Sequence, residues 1–332
     1  MKKNEKIAIL VAIILVVVGL VITSLAFRTL GATQLGITLL GNETNNVSVG
    51  SADMVTSTHS IDEKFSKINV STDTAYISFE LAKDGQCKVV CDEYAQNKHE
   101  VFVDNGTLIV KKPDGIREFI SFGISSGHQN VTVYLPQKSY DKLILSSDTG
   151  KVKVPDYLTF DEAEVETDTG YIELYADVKG NLSIGSDTGH ITVQDVNPKN
   201  LDVSTCTGAI VLKNILVSGN ITITTDTGDT DMTSVKCRGL EMRSDTGDIT
   251  LAKVIASASA NIGTDTGDVY LNGFDANEIF IRTNTGEVMG TILSEKIFFA
   301  ESDTGDVDVP RTITGGKCEI TTDTGDITID IA

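Results

Sequence analysis

The tripeptide Asp-Thr-Gly, or a one-residue variant of it, occurs ten times, with its glycines at 150, 170, 189, 208, 228, 247, 267, 286, 305 and 325. Every interval between them is 19 or 20 residues. A fixed period of about 20 to 50 residues marks a repeat architecture whose units are stable only when stacked on their neighbours. The repetition also changes what the tripeptide means. A lone Asp-Thr-Gly invites an aspartic protease, which needs two aspartates sharing a proton across a cleft, and there the motif continues with Ser or Thr. Here the next residue is Lys151, Tyr171, His190, Ala209, Asp229, Asp248, Asp268, Glu287, Asp306 or Asp326. A regular stack gives no means of singling out one pair, so proteolysis is excluded.

Aligning the copies on the glycine gives columns. Three residues before the Asp position stand Leu145, Val165, Ile184, Val203, Ile223, Met242, Ile262, Ile281, Ala300 and Ile320, and two residues earlier the column is again apolar. The residue just before the Asp position is Ser or Thr in every copy. Two residues after the glycine the column runs Val152, Ile172, Ile191, Ile210, Thr230, Ile249, Val269, Val288, Val307 and Ile327. Alternation with period two is the mark of a half-buried strand. Two such strands meet at each Asp-Thr-Gly, and the inward parity shifts by one residue across it. A bend must absorb the shift, glycine supplies the freedom for it, and the Asp side chain can accept nearby backbone N–H groups. A third apolar position recurs at Leu158, Val178, Val196, Ile215, Val235, Ile255, Phe274, Leu293 and Ile313, which suggests a roughly three-sided coil.

Two architectures fit this pattern. In a hairpin array each Asp-Thr-Gly is a tight turn with a left-handed glycine. In a parallel β-solenoid each rung pairs with the next, and equivalent residues stack in columns about 4.8 Å apart. The recurrence of the same apolar residues in every copy favours the stack, as does the β-branched bias. The expected fold class is all-β: a parallel β-solenoid of 19- to 20-residue rungs, preceded by one N-terminal transmembrane helix.

That helix is expected at residues 7–27, which are uncharged over 21 positions, long enough for a hydrocarbon core of about 30 Å. A cleaved secretory signal is the competing reading, with Ser24 and Ala26 at the cleavage site, but its apolar region usually runs about 7 to 15 residues. Lys2, Lys3 and Lys6 precede the segment and only Arg28 follows closely, which puts residues 1–6 in the cytoplasm and the repeats outside. Residues 28–60 read as a flexible spacer rich in Gly, Ser, Thr and Asn. Residues 61–147 read as irregular rungs that close the N-terminal end, and 148–332 as the regular solenoid. Within 61–147, Asp73-Thr74-Ala75 looks like a decayed copy, 75 residues or close to four periods before Asp148. The final copy, ITTDTGDITIDIA, reaches the C-terminus without a cap, so the stack is expected to end there, either protected by Asp330 or docked end to end with another chain.

The elements KINVSTDTAYISFE, VTVYLPQKSYDKLILSSDTGKVKV and the tandem T-D-T-G-D-I-T-L units resemble the bacterial "putative adhesin" β-strand-repeat family, which includes LiaG-like envelope proteins. The resemblance runs from about residue 60 to the end. It implies a β-helical fold and a cell-envelope location, and it brings no catalytic residues.

Composition narrows the function further. The formal charge of −20 argues against nucleic acid, whose phosphates need a basic surface. The five cysteines, 87, 91, 206, 237 and 318, do not form a disulfide framework, and Cys206 and Cys318 read as buried small hydrophobes. Calcium is the cofactor to weigh. Asp226 and Asp229, Asp245 and Asp248, Asp265 and Asp268, Asp303 and Asp306, and Asp323 and Asp326 each form D-T-G-D. Stacked, they make two acidic columns whose repulsion a hard cation would relieve. The alternative is that the first Asp is tied to backbone N–H groups and the second is solvated. A polysaccharide-acting β-helix is the enzymatic alternative. Against it, tryptophan is absent, Phe119, Phe122, Tyr134 and Tyr140 read as packing residues, and histidines 59, 99, 128 and 190 form no ligand motif. The expected role is non-enzymatic binding or scaffolding toward an envelope protein or polymer.

Overall fold

The computed structural model describes residues 54–112 and 129–332. The expected transmembrane helix at 7–27 lies outside the described residues. Every described regular element is a β-strand. The repeats form a parallel β-solenoid: Leu182 pairs with Leu201, Leu201 with Ile221 and Ile221 with Leu240, and after the bend Ile191 pairs with Ile210 and Ile210 with Thr230. Like residues therefore lie on like residues, and the hairpin-array alternative is set aside.

The expected apolar columns form the core. Leu145, Val165, Ile184, Val203, Ile223, Ile262 and Ile320 are buried, as are Val152, Ile172, Ile191, Ile210, Ile249 and Val269 beyond the bend. The parity shift is present, since Ser186 and then Ile191 face inward on either side of Asp187-Thr188-Gly189. The third apolar column needs three corrections. Val254 and Ala256 are buried and flank Ile255; Ile292 rather than Leu293 is buried; and Ile313 is 90% exposed. These slips follow from connections of unequal length, which the glycine-based alignment could not phase.

The order of rungs differs from the order of the chain at both ends. Ile279 and Val288 pair with Cys318 and Ile327, and Cys318 in turn pairs with Phe298. The copy around Gly325 thus lies between those around Gly286 and Gly305. The expected C-terminal edge is an interior rung, with Ile320, Ile327 and Ile329 buried. The physical edge is the strand Lys296–Thr304, where Phe298 and Ala300 are only partly buried and Ile297 and Phe299 are exposed, as is Val307 in the short strand Val307–Asp308 beyond the corner. Burial explains the exchange: the copy with isoleucine at three of its four apolar inward positions occupies the site covered on both faces.

At the other end, the Asp73 copy stacks directly on the first regular rung, with Ile68, Val70 and Thr72 paired to Leu143, Leu145 and Ser147. It is an adjacent neighbour, not one four periods away. The chain between them builds the cap. Strands Thr107–Lys111 and Gln129–Leu135 lie on the outer side of the Asp73 rung. Antiparallel to these run Glu100–Asp104 and Cys87–Tyr94, and Met54–Ile61 pairs with the latter. Asn105-Gly106 forms the two-residue turn between Glu100–Asp104 and Thr107–Lys111, both with positive φ (48° and 74°), as a tight hairpin demands. Ordered structure begins inside the 28–60 span read as spacer, because all of Met54–Ile61 except Ile61 falls there. Phe65 stacks on Tyr140 and Phe160 packs tilted against its other side where cap meets solenoid, with centroids 6.1 and 5.9 Å apart, so Tyr140 has the packing role expected of it.

Candidate functional site

The Asp-Thr-Gly corner repeats along the stack and concentrates the polar chemistry of the regular rungs. Its glycine is required twice over. Gly228 has φ +147°, and a Cβ there would stand 2.1 Å from the carbonyl oxygen of Gly208. The same crowding recurs from rung to rung because the corner backbones approach closely. The Ser or Thr before the Asp is buried in nine copies, and hydroxyls of this column donate to the glycine carbonyl of the neighbouring rung, as Thr205 to Gly189 at 3.3 Å and Thr322 to Gly286 at 3.1 Å.

The two aspartates have the opposite roles from those expected. The residue after the glycine has an N–H that the ladder leaves over, and the aspartate at that position on the adjacent rung accepts it. Asp229 Oδ1 accepts from the Asp248 N–H at 3.0 Å, Asp248 from Asp268 at 2.9 Å, Asp268 from Glu287 at 2.8 Å, and Asp326 from Asp306 at 2.8 Å. His190 Nδ1 does the same for Ala209 at 2.9 Å. The second aspartate is therefore the backbone clasp. The first column, Asp226, Asp245, Asp265, Asp303 and Asp323, is exposed to solvent beside an exposed column of threonines. Cys206 stands in this column and is exposed, not buried as its apolar character suggested, because the Asp position points outward. Cys318 is buried as expected.

The copy around Gly286 divides the acidic ridge, whichever of the last two rungs follows it. Asn284 and Glu287 separate the copies at 226–268 from those at 323–326 and 303–306. The ten carboxylates at Asp226, Asp229, Asp245, Asp248, Asp265, Asp268, Asp303, Asp306, Asp323 and Asp326 do not gather three donor atoms at any one point. One oxygen of Asp229, Asp248, Asp268 and Asp326 is already engaged with an N–H, which relieves part of the repulsion a cation was invoked to relieve.

Three potential ligand groups do converge in the cap, where no sequence motif announces them. Cys91 and Glu93 lie on the inward face of Cys87–Tyr94, and His99 immediately precedes Glu100–Asp104. All three are buried, and their donor atoms lie within 4.8 Å of one another. Glu93 Oε2 accepts the His99 backbone N–H at 2.6 Å and faces His99 Nδ1 at 2.8 Å. Burial would raise the Glu93 pKa, but hydrogen bonds from the His99 backbone, the Ser57 hydroxyl and the His99 ring outweigh it and hold the carboxyl below its ordinary value. The Cys91 thiol is pushed up to about 12 by burial and by the charges of Glu93 and Asp92. Glu93 Oε1 and His99 Nε2 are buried without partners, as are Asn97 Oδ1 and Gln129 Oε1 nearby in the cap. Each such orphan costs about 1 to 3 kcal/mol. The x-Cys-x-Glu alternation was visible in sequence, but nothing in it placed His99 opposite.

The family model for Toastrack DUF4097 matches residues 65–229 and 216–332. The chain belongs to the Toastrack DUF4097 family. The sequence resemblance to "putative adhesin" repeat proteins therefore stands. A solved structure described as a putative adhesin from Parabacteroides distasonis is similar over 72% of this chain and 97% of its own, with 14% identity and TM-score 0.52, a likeness of fold. A putative adhesin from Bacteroides fragilis aligns over 84% of this chain and 98% of its own at 15% identity and TM-score 0.43. A putative lipid binding protein from Parabacteroides distasonis aligns over 71% and 95% at 16% identity and TM-score 0.45. No curated protein matches the chain.

Proposed function

We propose that this protein is a membrane-anchored, extracytoplasmic β-solenoid with a non-enzymatic binding or scaffolding role at the bacterial cell envelope. The observation that carries the reading is the exposed corner ridge, where threonines 169, 188, 207, 227, 246 and 266 repeat in register beside outward-facing aspartates. A ladder of identical groups about 4.8 Å apart suits a partner that is itself extended, because each added contact is intramolecular once the first has formed. The partner class is an envelope protein or polymer. The description of the structural neighbour at TM-score 0.52, a putative adhesin, agrees with a surface role.

Anchoring rests on residues 7–27 and the lysines before them. Cys206 supplies the test of topology, being the exposed one of the five cysteines. A membrane-impermeant maleimide should label it on intact cells, and Cys206→Ser should remove the signal. Labelling that requires lysis would refute an external repeat domain. For binding, envelope polymers should raise the melting temperature of the full chain without releasing soluble product. Turnover of any of them would instead favour the polysaccharide-acting alternative.

The end-to-end partner is a second copy of this chain, docking on the strand Lys296–Thr304 rather than on the C-terminal copy. That nine-residue strand pairs on one side only among the described residues and exposes Ile297 and Phe299. Two such edges can pair antiparallel about a twofold axis.

A further inference from the structure

We propose that Cys91, Glu93 and His99 form a binding site for a divalent transition ion of the zinc class, seated in the N-terminal cap. The donor set selects the ion. A thiolate, an imidazole and a carboxylate together suit zinc or cobalt, whereas calcium and magnesium take oxygen ligands. Donor atoms within 4.8 Å of one another need only small side-chain movements to reach the separations of about 3.3 to 3.6 Å set by zinc bond lengths of about 2.0 to 2.3 Å.

A second observation points to a ligand independently of that convergence. Glu93 and His99 have fully buried side chains, yet Glu93 Oε1 and His99 Nε2 are both without partners. A closed Glu–His buttress would satisfy one nitrogen and one oxygen and leave these two stranded. A metal at His99 Nε2 would keep the bond between Nδ1 and Glu93 Oε2 as the orienting contact, the usual arrangement for a ligating histidine. A metal at Nδ1 would bring the carboxylate in directly. In the Nδ1 arrangement Cys91 completes three protein ligands, with one position left for water or a fourth group; in the Nε2 arrangement Glu93 orients the ring, and His99 and Cys91 are the protein ligands. Binding breaks the Cys91 S–H bond, forms a sulfur–metal bond and releases the proton to solvent. The ion would link three separate pieces of the cap: the strand carrying Cys91 and Glu93, the turn carrying His99, and Met54–Ile61, whose Ser57 pairs with Cys91.

The test uses the full chain in detergent, stripped with chelator and titrated with Co(II) alone, then with Zn(II). One equivalent of Co(II) should give a thiolate-to-cobalt charge-transfer band, which Zn(II) then abolishes, and Zn(II) should raise the melting temperature by roughly 3 °C or more. Cys91→Ser should lose the band, while Cys237→Ser, which alters another buried thiol, keeps it. His99→Gln should weaken Zn(II) binding by about tenfold or more. A band that survives Cys91→Ser and disappears in Cys206→Ser would overturn the proposal, because it would place the ion at the exposed thiol of the ridge. If Cys91→Ser fails to fold, X-ray absorption on the zinc-loaded Cys206→Ser chain, which lacks the exposed thiol, decides. One sulfur among nitrogen and oxygen neighbours supports the site, and an all-oxygen shell, or no uptake at all, sinks it.

Discussion

The two ends of the solenoid solve the same problem in opposite ways. At both, the outermost parallel rung is not the outermost in sequence, so the chain doubles back and inserts a copy behind it. At the N-terminal end the outer rung is covered by antiparallel strands, and the edges that remain, Met54–Ile61 and Glu100–Asp104, are rich in hydroxyl, imidazole and carboxylate side chains. At the C-terminal end no second strand among the described residues pairs with Lys296–Thr304, and apolar side chains from Leu293 to Ile313 reach solvent. The N-terminal end holds unsatisfied buried polar atoms but few exposed apolar ones; the other end shows the reverse. A parallel stack can thus be terminated by irregular polar structure or be left with an unpaired apolar edge, and this chain does one at each end.

The strongest way to break this comparison is at the corner glycine. Gly228→Val should destabilise the chain by about 3 kcal/mol or more, since both the φ and the carbonyl contact forbid a side chain. Ala75 occupies the same corner position in the cap-proximal copy without strain, and Ala75→Gly should cost about 1 kcal/mol. Thermal and denaturant melts of the pair would show whether the corner is equally tight at the end; equal losses would refute that difference.

The exchanged order comes next. Ile327→Ala should cost about 2 to 4 kcal/mol, because Ile327 is fully buried between two rungs. Val307→Ala, at the same repeat position but 42% exposed, should cost under about 1 kcal/mol. Stacking in chain order would reverse that ranking.

Acid should separate the ends in turn. The Glu93 carboxyl has a folded pKa held below its ordinary value of 4.5, so its stabilising contribution is present above that pH and is lost as pH falls through the folded value. Hydrogen exchange during acidification should show the amides of Met54–Ile61 and Cys87–Tyr94 losing protection before those of the rungs from 182 to 266. Simultaneous loss would count against a separately titrating cap. The smallest effect on stability is expected from Phe299→Lys, within about 0.5 kcal/mol for a side chain 55% exposed. The same change should convert any end-to-end dimer to monomer by light scattering, and a dimer that persists would move the interface elsewhere.

Much of this was legible before folding because period-two alternation reports burial directly. Leu182, Ile184 and Ile191 announced two strands and a bend, and the structure has them there. Leu293 and Ile313 misled because the connections following the second strand vary in length, so apolar character there carries no phase. The aspartate roles were inverted for a different reason. An Asx-turn is a local idea, whereas the N–H that Asp229 accepts belongs to a residue 19 positions away on the next rung. Cys91, Glu93 and His99 escaped notice because two come from a strand and one from the turn after it, and no spacing rule links them.

The sequence by itself determined the rung: its length, its two strands, its glycine corner and the residues that face inward. These are properties of a single repeat, and repetition made them unmistakable. Only the tertiary structure decided which rung lies beside which. Identical columns make every copy a chemically acceptable neighbour of every other, and intervals of 19 and 20 residues serve a sequential and an exchanged order alike. The choice fell to burial, which placed Ile320, Ile327 and Ile329 inside and left Phe299 and Val307 at the edge.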